Sequence, residues 1–344
     1  MQRPISSTLS RREVLATGLL TGVSFSMNSW AADVAKLPLI TKTIPATGEK
    51  LPVIGLGTIW YRDAQYASLK PVLQRMGELG GTLIDTAAAY GESEGVIGKA
   101  LAELGTRNKM FIATKFNDGS NDAPATNAMS AASAPPAGNA TPLPGPPQGI
   151  TRPDRDGVVG QASFERSLQR LQTDHIDLLQ VHGMNGTDVL MPLLLEWKRA
   201  KKIRYIGVTT SSTNQHQQLI QTMQRYPLDF IQVDYSIGNR AAEAALAVAS
   251  ERKVAVLANL PLGRATLLQA VANRPLPAWA AEIDVSSWSQ FLLKYVVSHP
   301  AVTCAIPGTT NVEHLQDNLL AGRGRLPDTS MRKRMEALWE TLSK

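Results

Sequence analysis

From residue 41 onward the chain alternates short apolar runs with stretches in which apolar residues recur every three or four positions. The runs are VIGLGT (53–58), TLIDTA (82–87), MFIATK (110–115), IDLLQVH (176–182), IRYIGVT (203–209), DFIQVDY (229–235), VAVLANL (254–260) and AVTCAIP (301–307). Between them YASLKPVLQRMGEL, EGVIGKALAEL, FERSLQRLQ, NQHQQLIQTMQR and RAAEAALAVASER have the spacing of helices with one buried stripe. Continuous apolar runs of this kind read as strands covered on both faces, as in a parallel sheet. Eight such units predict an α/β fold, a (β/α)8 TIM barrel, whose functional groups belong at the C-terminal ends of the strands. Ahead of them ITKTIPATGEKLPVIG predicts a small hairpin closing the barrel bottom, and DTSMRKRMEALWETLSK predicts a final helix.

Two segments break the pattern. Residues 119–151 hold seven prolines, eight alanines, four glycines and a single charge, Asp122, so they have nothing to bury and read as an extended loop inserted after the third strand. That position is on the face where barrels act, so the insertion is either a lid or a segment without a role. At the other extreme, LSRREVLATG (9–18) places twin arginines before a weakly apolar run, and SWAAD offers Ser29 and Ala31 ahead of a cleavage point. Residues 1–31 therefore resemble a twin-arginine (Tat) signal peptide, with 32–344 as the barrel, which predicts a periplasmic protein exported folded by the Tat machinery. The apolar part is too short and too polar to span a bilayer, so no stable membrane insertion is expected.

Composition narrows the partners. With 43% hydrophobic and 19% charged residues, 344 positions are enough for a large core. Removing Arg3, Arg11, Arg12 and Glu13 with the signal lowers the formal charge from +6 to +4. The basic residues are scattered and no recognised reading module is present, so no nucleic-acid partner is expected. Cys304, the one cysteine, excludes an internal disulfide and, inside VTCAIP, reads as a buried structural thiol. Five scattered histidines with no HxH pair argue against a metal site.

On this frame four polar residues converge. Asp85 ends the second strand, Tyr90 follows it, Lys115 closes the third and His182 closes the fourth. Each has an ordinary structural reading alone, as a helix cap, packing, a solvated charge or a satisfied histidine. Together they suit proton delivery to a carbonyl oxygen gaining charge. A free tyrosine, with a pKa near ~10, is a reluctant acid. A nearby ammonium is expected to lower that value, and a carboxylate to hold the ammonium. His182 is then placed to orient the carbonyl.

DTAAAYGESEGVIGKAL, ATK, DLLQVH, YIGVT, PLGR and IPGTTNVEHLQDN, in this order from about Leu51 to Leu320, resemble the aldo-keto reductase family. The resemblance implies an NAD(P)H-dependent oxidoreductase of a small-molecule aldehyde or ketone, with Asp85, Tyr90, Lys115 and His182 as the catalytic tetrad and Tyr90 as proton donor. It implies a cofactor, NADPH with NADH possible, lying across the barrel mouth against Thr58, Thr209, Thr210, Gln232, Leu260, Leu262, Arg264, Gly308, Thr309, Asp317 and Asn318. Gln232 would hold the carboxamide, and the helix after Gly308 would offer amides to a phosphate.

The chain departs from the family pattern in three places. Thr209 and Thr210 stand where Ser and Asn are common, Asn259 stands where an aromatic often stacks on the nicotinamide, and no Lys or Arg lies between Gly308 and Asn318 to clamp a 2′-phosphate. Two other readings stay open: a slow or non-catalytic cofactor-binding sensor, and a Schiff-base aldolase using Lys115. Trp60, Tyr61 and the 119–151 loop are the expected sources of substrate specificity.

Overall fold

The computed structural model describes residues 34, 36–116 and 153–342; the expected signal peptide and the 119–151 insertion lie outside the described residues. The hairpin forms from β1 (Thr41–Thr43) and β2 (Lys50–Pro52), antiparallel with Lys42 opposite Leu51. Eight parallel strands follow in sequential order: β3 (Leu56–Gly57), β4 (Leu83–Asp85), β5 (Phe111–Phe116), β6 (Ile176–His182), β7 (Ile203–Thr210), β8 (Phe230–Asp234), β9 (Ala255–Asn259) and β10 (Cys304–Ala305). Parallel bridges from Ile54 to Ala305 and from Gly57 to Gly308 join the first of these to the last, so the sheet closes on itself. The α/β expectation of a (β/α)8 barrel holds: six of the eight strands lie inside the predicted runs, and β5 and β7 each run one residue further, to Phe116 and Thr210.

Period-two alternation explains the barrel's filling. Leu83, Phe111, Ala113, Leu178, Tyr205, Phe230, Leu257 and Cys304 point inward and form one buried cluster with Ile44 and Leu51 of the hairpin. The hairpin thus plugs the bottom, and the Tyr205 hydroxyl anchors it through Thr47 and Glu49. Residues of opposite parity pack outward against helices, as Ile84, Ile112, Leu179, Ile206 and Val256 do. At the bottom rim Asp177 accepts the Ile112 amide and Asp229 the Ile206 amide, which satisfies donors where strands begin. Cys304 is fully buried, as its apolar run implied.

The helices that matter for the site are α1 (Tyr66–Glu78), α2 (Ser93–Leu104), α3 (Pro153–Arg170), α4 (Thr187–Arg199), α5 (His216–Arg225), α6 (Glu243–Glu251), α7 (Thr266–Val271), α8 (Trp288–Val297), α9 (Val312–Leu320) and α10 (Thr329–Leu342). α4, α7 and α8 are not among the helices named from the sequence; α7 is a six-residue piece and α8 is buried on nearly every side, which blurs a single stripe. Two buried lysines tie chain segments together. Lys294 donates to the carbonyls of Ile283, Arg323 and Arg325, and Lys42 to those of Val297, His299 and Val302. Among the described residues no helix is long and apolar enough to cross a membrane.

Candidate active site

The C-terminal strand ends bring the four expected residues together. Lys115 sits on the inward parity of β5 and is 1% exposed, so its ammonium needs partners inside the barrel. It donates to Asp85 Oδ2 at 2.7 Å and to the Thr86 carbonyl at 2.7 Å. Its Nζ lies 4.9 Å from the centre of the Tyr90 ring. Tyr90 in turn meets His182 edge-on, with ring centres 5.8 Å apart and planes at 77°. The turn that carries Tyr90 is fastened to β5: the Thr86 amide donates to Ala113 O and the Ala88 amide to Lys115 O. Gly91 follows in the left-handed region at φ +64°, which a glycine adopts without strain.

The electrostatics correct one expectation. Burial raises the Tyr90 phenol, and although the Lys115 ammonium pulls it down, with Arg264 adding a smaller pull, the net direction is up rather than down. The phenol therefore keeps its proton at neutral pH. Burial also opposes the Lys115 charge, but Asp85 and Tyr90 outweigh it and hold the ammonium above its ordinary value. Asp85 is raised by burial against the pull of Lys115. His182 is pushed down to about 3, first by burial and then by Lys115, so its imidazole is neutral and carries one N–H. A proton-bearing phenol, an adjacent cation and a neutral imidazole donor surround one small space, which is the arrangement needed at a carbonyl oxygen.

The other expected residues divide. Thr209 and Gln232 stand beside His182 in ladder register on one rim. The Gln232 side-chain oxygen accepts from Gln180 Nε2 at 3.0 Å, which fixes its amide. Thr210 does not offer a free hydroxyl: it donates to Gln215 Oε1 and accepts the Ser212 amide, shaping its own loop. Thr58 likewise is not a rim contact. It is 1% exposed and its hydroxyl binds Asp85 O and Ser93 Oγ, joining the ends of β3 and β4. Asp317 is engaged by Ser287 Oγ and Gln290 Nε2, both at 2.7 Å, and Asn318 is buried, so the first of these works as a tie to α8. Asn259 is pinned to Thr210 O at 3.3 Å. Gln180 and Asp234 belong to the same rim and were not singled out from the sequence; counting back by two from His182 reaches Gln180.

The mouth also fits a nucleotide. Between β9 and α7 the backbone takes positive φ at Leu260, Gly263, Arg264 and Ala265. Three of these are not glycine, and each costs about 1–2 kcal/mol, a strain that local structure alone does not explain. In this loop Leu262 packs partly against the core, while Arg264 is exposed and near enough for its charge to act on Tyr90. Gly57 and Gly308 approach so closely that a Cβ on Gly57 would meet Ile306 O at 3.0 Å. Beyond Gly308, Thr309 Oγ1 takes the Asn311 amide and Asn311 Oδ1 the His314 amide, capping α9 with its N-terminal amides directed at the loop. Buried, unpartnered acceptors on Gln180, Asn259 and Asp85 add polar capacity at the same rim. Among the described residues no group of His, Cys, Asp and Glu is placed to hold a metal ion.

The model of the aldo/keto reductase family matches residues 53–340. The chain belongs to this family. This reductase is 26% identical over 335 residues to the Schizosaccharomyces pombe "Aldo-keto reductase yakc [NADP(+)]", covering 86% of this chain and 88% of that one. It is 30% identical over 291 residues to the Escherichia coli "Methylglyoxal reductase YeaE", covering 80% and 88%. Among solved structures, a Klebsiella pneumoniae aldo/keto reductase in complex with NADP and acetate superposes with a TM-score of 0.63 at 26% identity, covering 85% of this chain and 93% of that one.

The neutral imidazole has a consequence for stability. The unfolded chain protonates His182 as pH falls through its ordinary value of 6.5, whereas the folded chain does so only near 3. Stability from this group is therefore complete above 6.5 and is lost across that window as pH falls. The difference should reach on the order of 2 kcal/mol at pH 4, discounted for partial exposure. His182→Gln should flatten the decline in Tm between pH 7 and pH 4 relative to wild type. Parallel declines in scanning calorimetry would remove His182 from this role.

Proposed function

We propose that this reductase converts a small-molecule aldehyde or ketone to its alcohol with NADPH, or the reverse, and that Tyr90 donates the proton. The observation that carries the reading is the buried chain Asp85–Lys115–Tyr90 with His182 against the same ring. NADPH, when bound, supplies hydride to the carbonyl carbon. Charge then grows on the carbonyl oxygen. His182, neutral and donating one N–H, orients that oxygen, and the Tyr90 hydroxyl gives it a proton. Lys115 stabilises the phenolate left behind, and Asp85 keeps Lys115 charged and in place. To the nucleotide the reading assigns Thr209, Gln232, Leu260, Leu262, Arg264, Gly308, Thr309 and the N-terminus of α9. The NADP named for the fungal and Klebsiella relatives supports that choice.

The same geometry disfavours an aldolase. A lysine nucleophile must lose its proton, yet two oxygens at 2.7 Å accept from Lys115 and its pKa is raised. We also propose that residues 1–31 direct folded export by the twin-arginine route to the periplasm, on the strength of SRREVLATG followed by SWA.

Tyr90→Phe should lower carbonyl reduction by ~10² or more while leaving NADPH affinity nearly unchanged. Nicotinamide absorbance over a panel of aldehydes and ketones measures the first and tryptophan fluorescence the second. Reduction at the wild-type rate would mean that another group gives the proton.

Discrimination between NADPH and NADH should be modest, because the segment from Gly308 to Asn318 carries no Lys or Arg. One missing charged contact corresponds to roughly 1.5–3 kcal/mol, about ten- to a hundred-and-fifty-fold. Paired titrations test this, and a preference for NADPH beyond a thousandfold would reveal a clamp elsewhere.

Replacing Arg11 and Arg12 by Lys should leave unprocessed precursor in the cytoplasm. Normal periplasmic processing of that variant would end the export reading.

A further inference from the structure

We propose that Arg62 is a positioning residue for the reaction: it clamps the turn that carries Tyr90 to the loop after β3, so that the phenol is held in line with Lys115. This rests on the reading of Tyr90 as proton donor. The two N–H groups of one guanidinium nitrogen, Nη1, are shared among the carbonyls of Ile59 at 3.0 Å, Tyr61 at 2.7 Å and Tyr90 at 3.3 Å. The first two belong to the loop between β3 and α1, and the third is the main chain of the donor itself. A second tie runs the same way, from the Asp63 amide to Glu92 Oε2 at 2.8 Å. Gly91 next to it serves the backbone rather than the space: its φ is +64°, while a Cβ there would lie 4.0 Å from the Arg62 Cζ, an ordinary contact.

The turn gains from such a clamp because its own bonds hold Tyr90 on one side only: the Tyr90 amide donates to Ala87 O at 3.0 Å, while its carbonyl is weakly held. Thr86 and Ala88 are anchored to β5 through their amides, at 2.8 and 3.0 Å. Four residues from Thr86, however, the Tyr90 carbonyl has only the Ser93 amide at 3.4 Å within its own segment. Without Arg62 the Tyr90 carbonyl would keep only that long bond, and the turn would be held by the Tyr90 amide on Ala87 O and by the Asp63–Glu92 tie. The protein uses a related device twice elsewhere: the Lys294 ammonium gathers carbonyls from two segments, and the Lys42 ammonium ties β1 to three carbonyls of the single stretch 297–302. Those two lie away from the strand C-terminal rim. Arg62 is the case where one of the gathered carbonyls belongs to a residue of the site.

Geometry at a proton donor is demanding. Misplacement by about 1 Å can lower turnover ~10²-fold without a change in chemistry. Arg62→Met keeps the length of the side chain and removes the donors, and Arg62→Lys keeps a cation with three N–H groups. In full-length mature protein we expect Arg62→Met to lower kcat by roughly ten- to a hundredfold. KM and the NADPH dissociation constant should stay close to wild type, and the alkaline limb of the kcat pH profile should be displaced. Arg62→Lys should recover most of the turnover and return that limb to its wild-type position.

Wild-type kcat and pH profile in Arg62→Met, with Tyr90→Phe inactive in the same assay, would overturn the role of Arg62 and leave the donor assignment standing. A fall in Tm together with proportional loss of cofactor binding, and no displacement of the pH profile in the folded fraction, would also overturn it, since a purely structural contact behaves that way. An active Tyr90→Phe would instead overturn the donor assignment on which the proposal rests.

Discussion

The organising interaction of this protein is the ion pair between Lys115 and Asp85 inside the top of the barrel. Both side chains are almost fully buried, at 1% and 4% exposure, and the charged atoms are 2.7 Å apart. An isolated charge there would be strongly disfavoured, and removing either partner alone is the kind of change that costs about 3–5 kcal/mol. The pair therefore fixes the register of β4 against β5 and sets the depth of the Tyr90 turn, whose Thr86 carbonyl completes the ammonium's coordination. Thr58 and Ser93 then bind the end of β4 to β3 and α2. A charge that could not be buried without help has become the anchor for three segments.

That anchor also decides the chemistry available at the mouth. A barrel interior this apolar raises the phenol of Tyr90 and depresses the imidazole of His182 by the same physical cause, loss of water. Neither group is charged at neutral pH. The charge that lies against the Tyr90 ring is the Lys115 ammonium, with Asp85 opposing its pull on the phenol and Arg264 adding a smaller one. The site is thus built to meet negative charge as it forms, rather than to hold it beforehand.

The cofactor side of the mouth is assembled differently. Its fixed parts are backbone: the positive-φ loop from Leu260 to Ala265, the close pair Gly57 and Gly308, and the capped end of α9. Side chains the family pattern would aim at the nucleotide are instead turned to the protein, as Thr58, Thr210 and Asp317 are. Asn259, in place of an aromatic, is held by Thr210. In the proposed reading the grip on the nucleotide draws heavily on main-chain geometry and on Gln232, whose amide is oriented by Gln180.

The sequence by itself determined the barrel, the bottom hairpin, the final helix and the meeting of Asp85, Tyr90, Lys115 and His182 at one rim, because strand periodicity and strand-end position are local facts: an inward residue at a strand's C-terminal end has only one rim to occupy. It also placed Cys304 in the core, from the apolar run around it. What it left undecided depends on distance through space. The direction of the Tyr90 shift follows from burial, which no spacing of residues records. The commitments of Thr58 to Asp85 and Ser93, and of Asp317 to Ser287 and Gln290, join positions 27 to 35 residues apart and appear only once the chain has closed on itself. Arg62 is the clearest case. In the sequence it is an unremarked arginine after an aromatic pair, and only the folding of two adjacent loops onto one rim brings its guanidinium to the carbonyl of Tyr90.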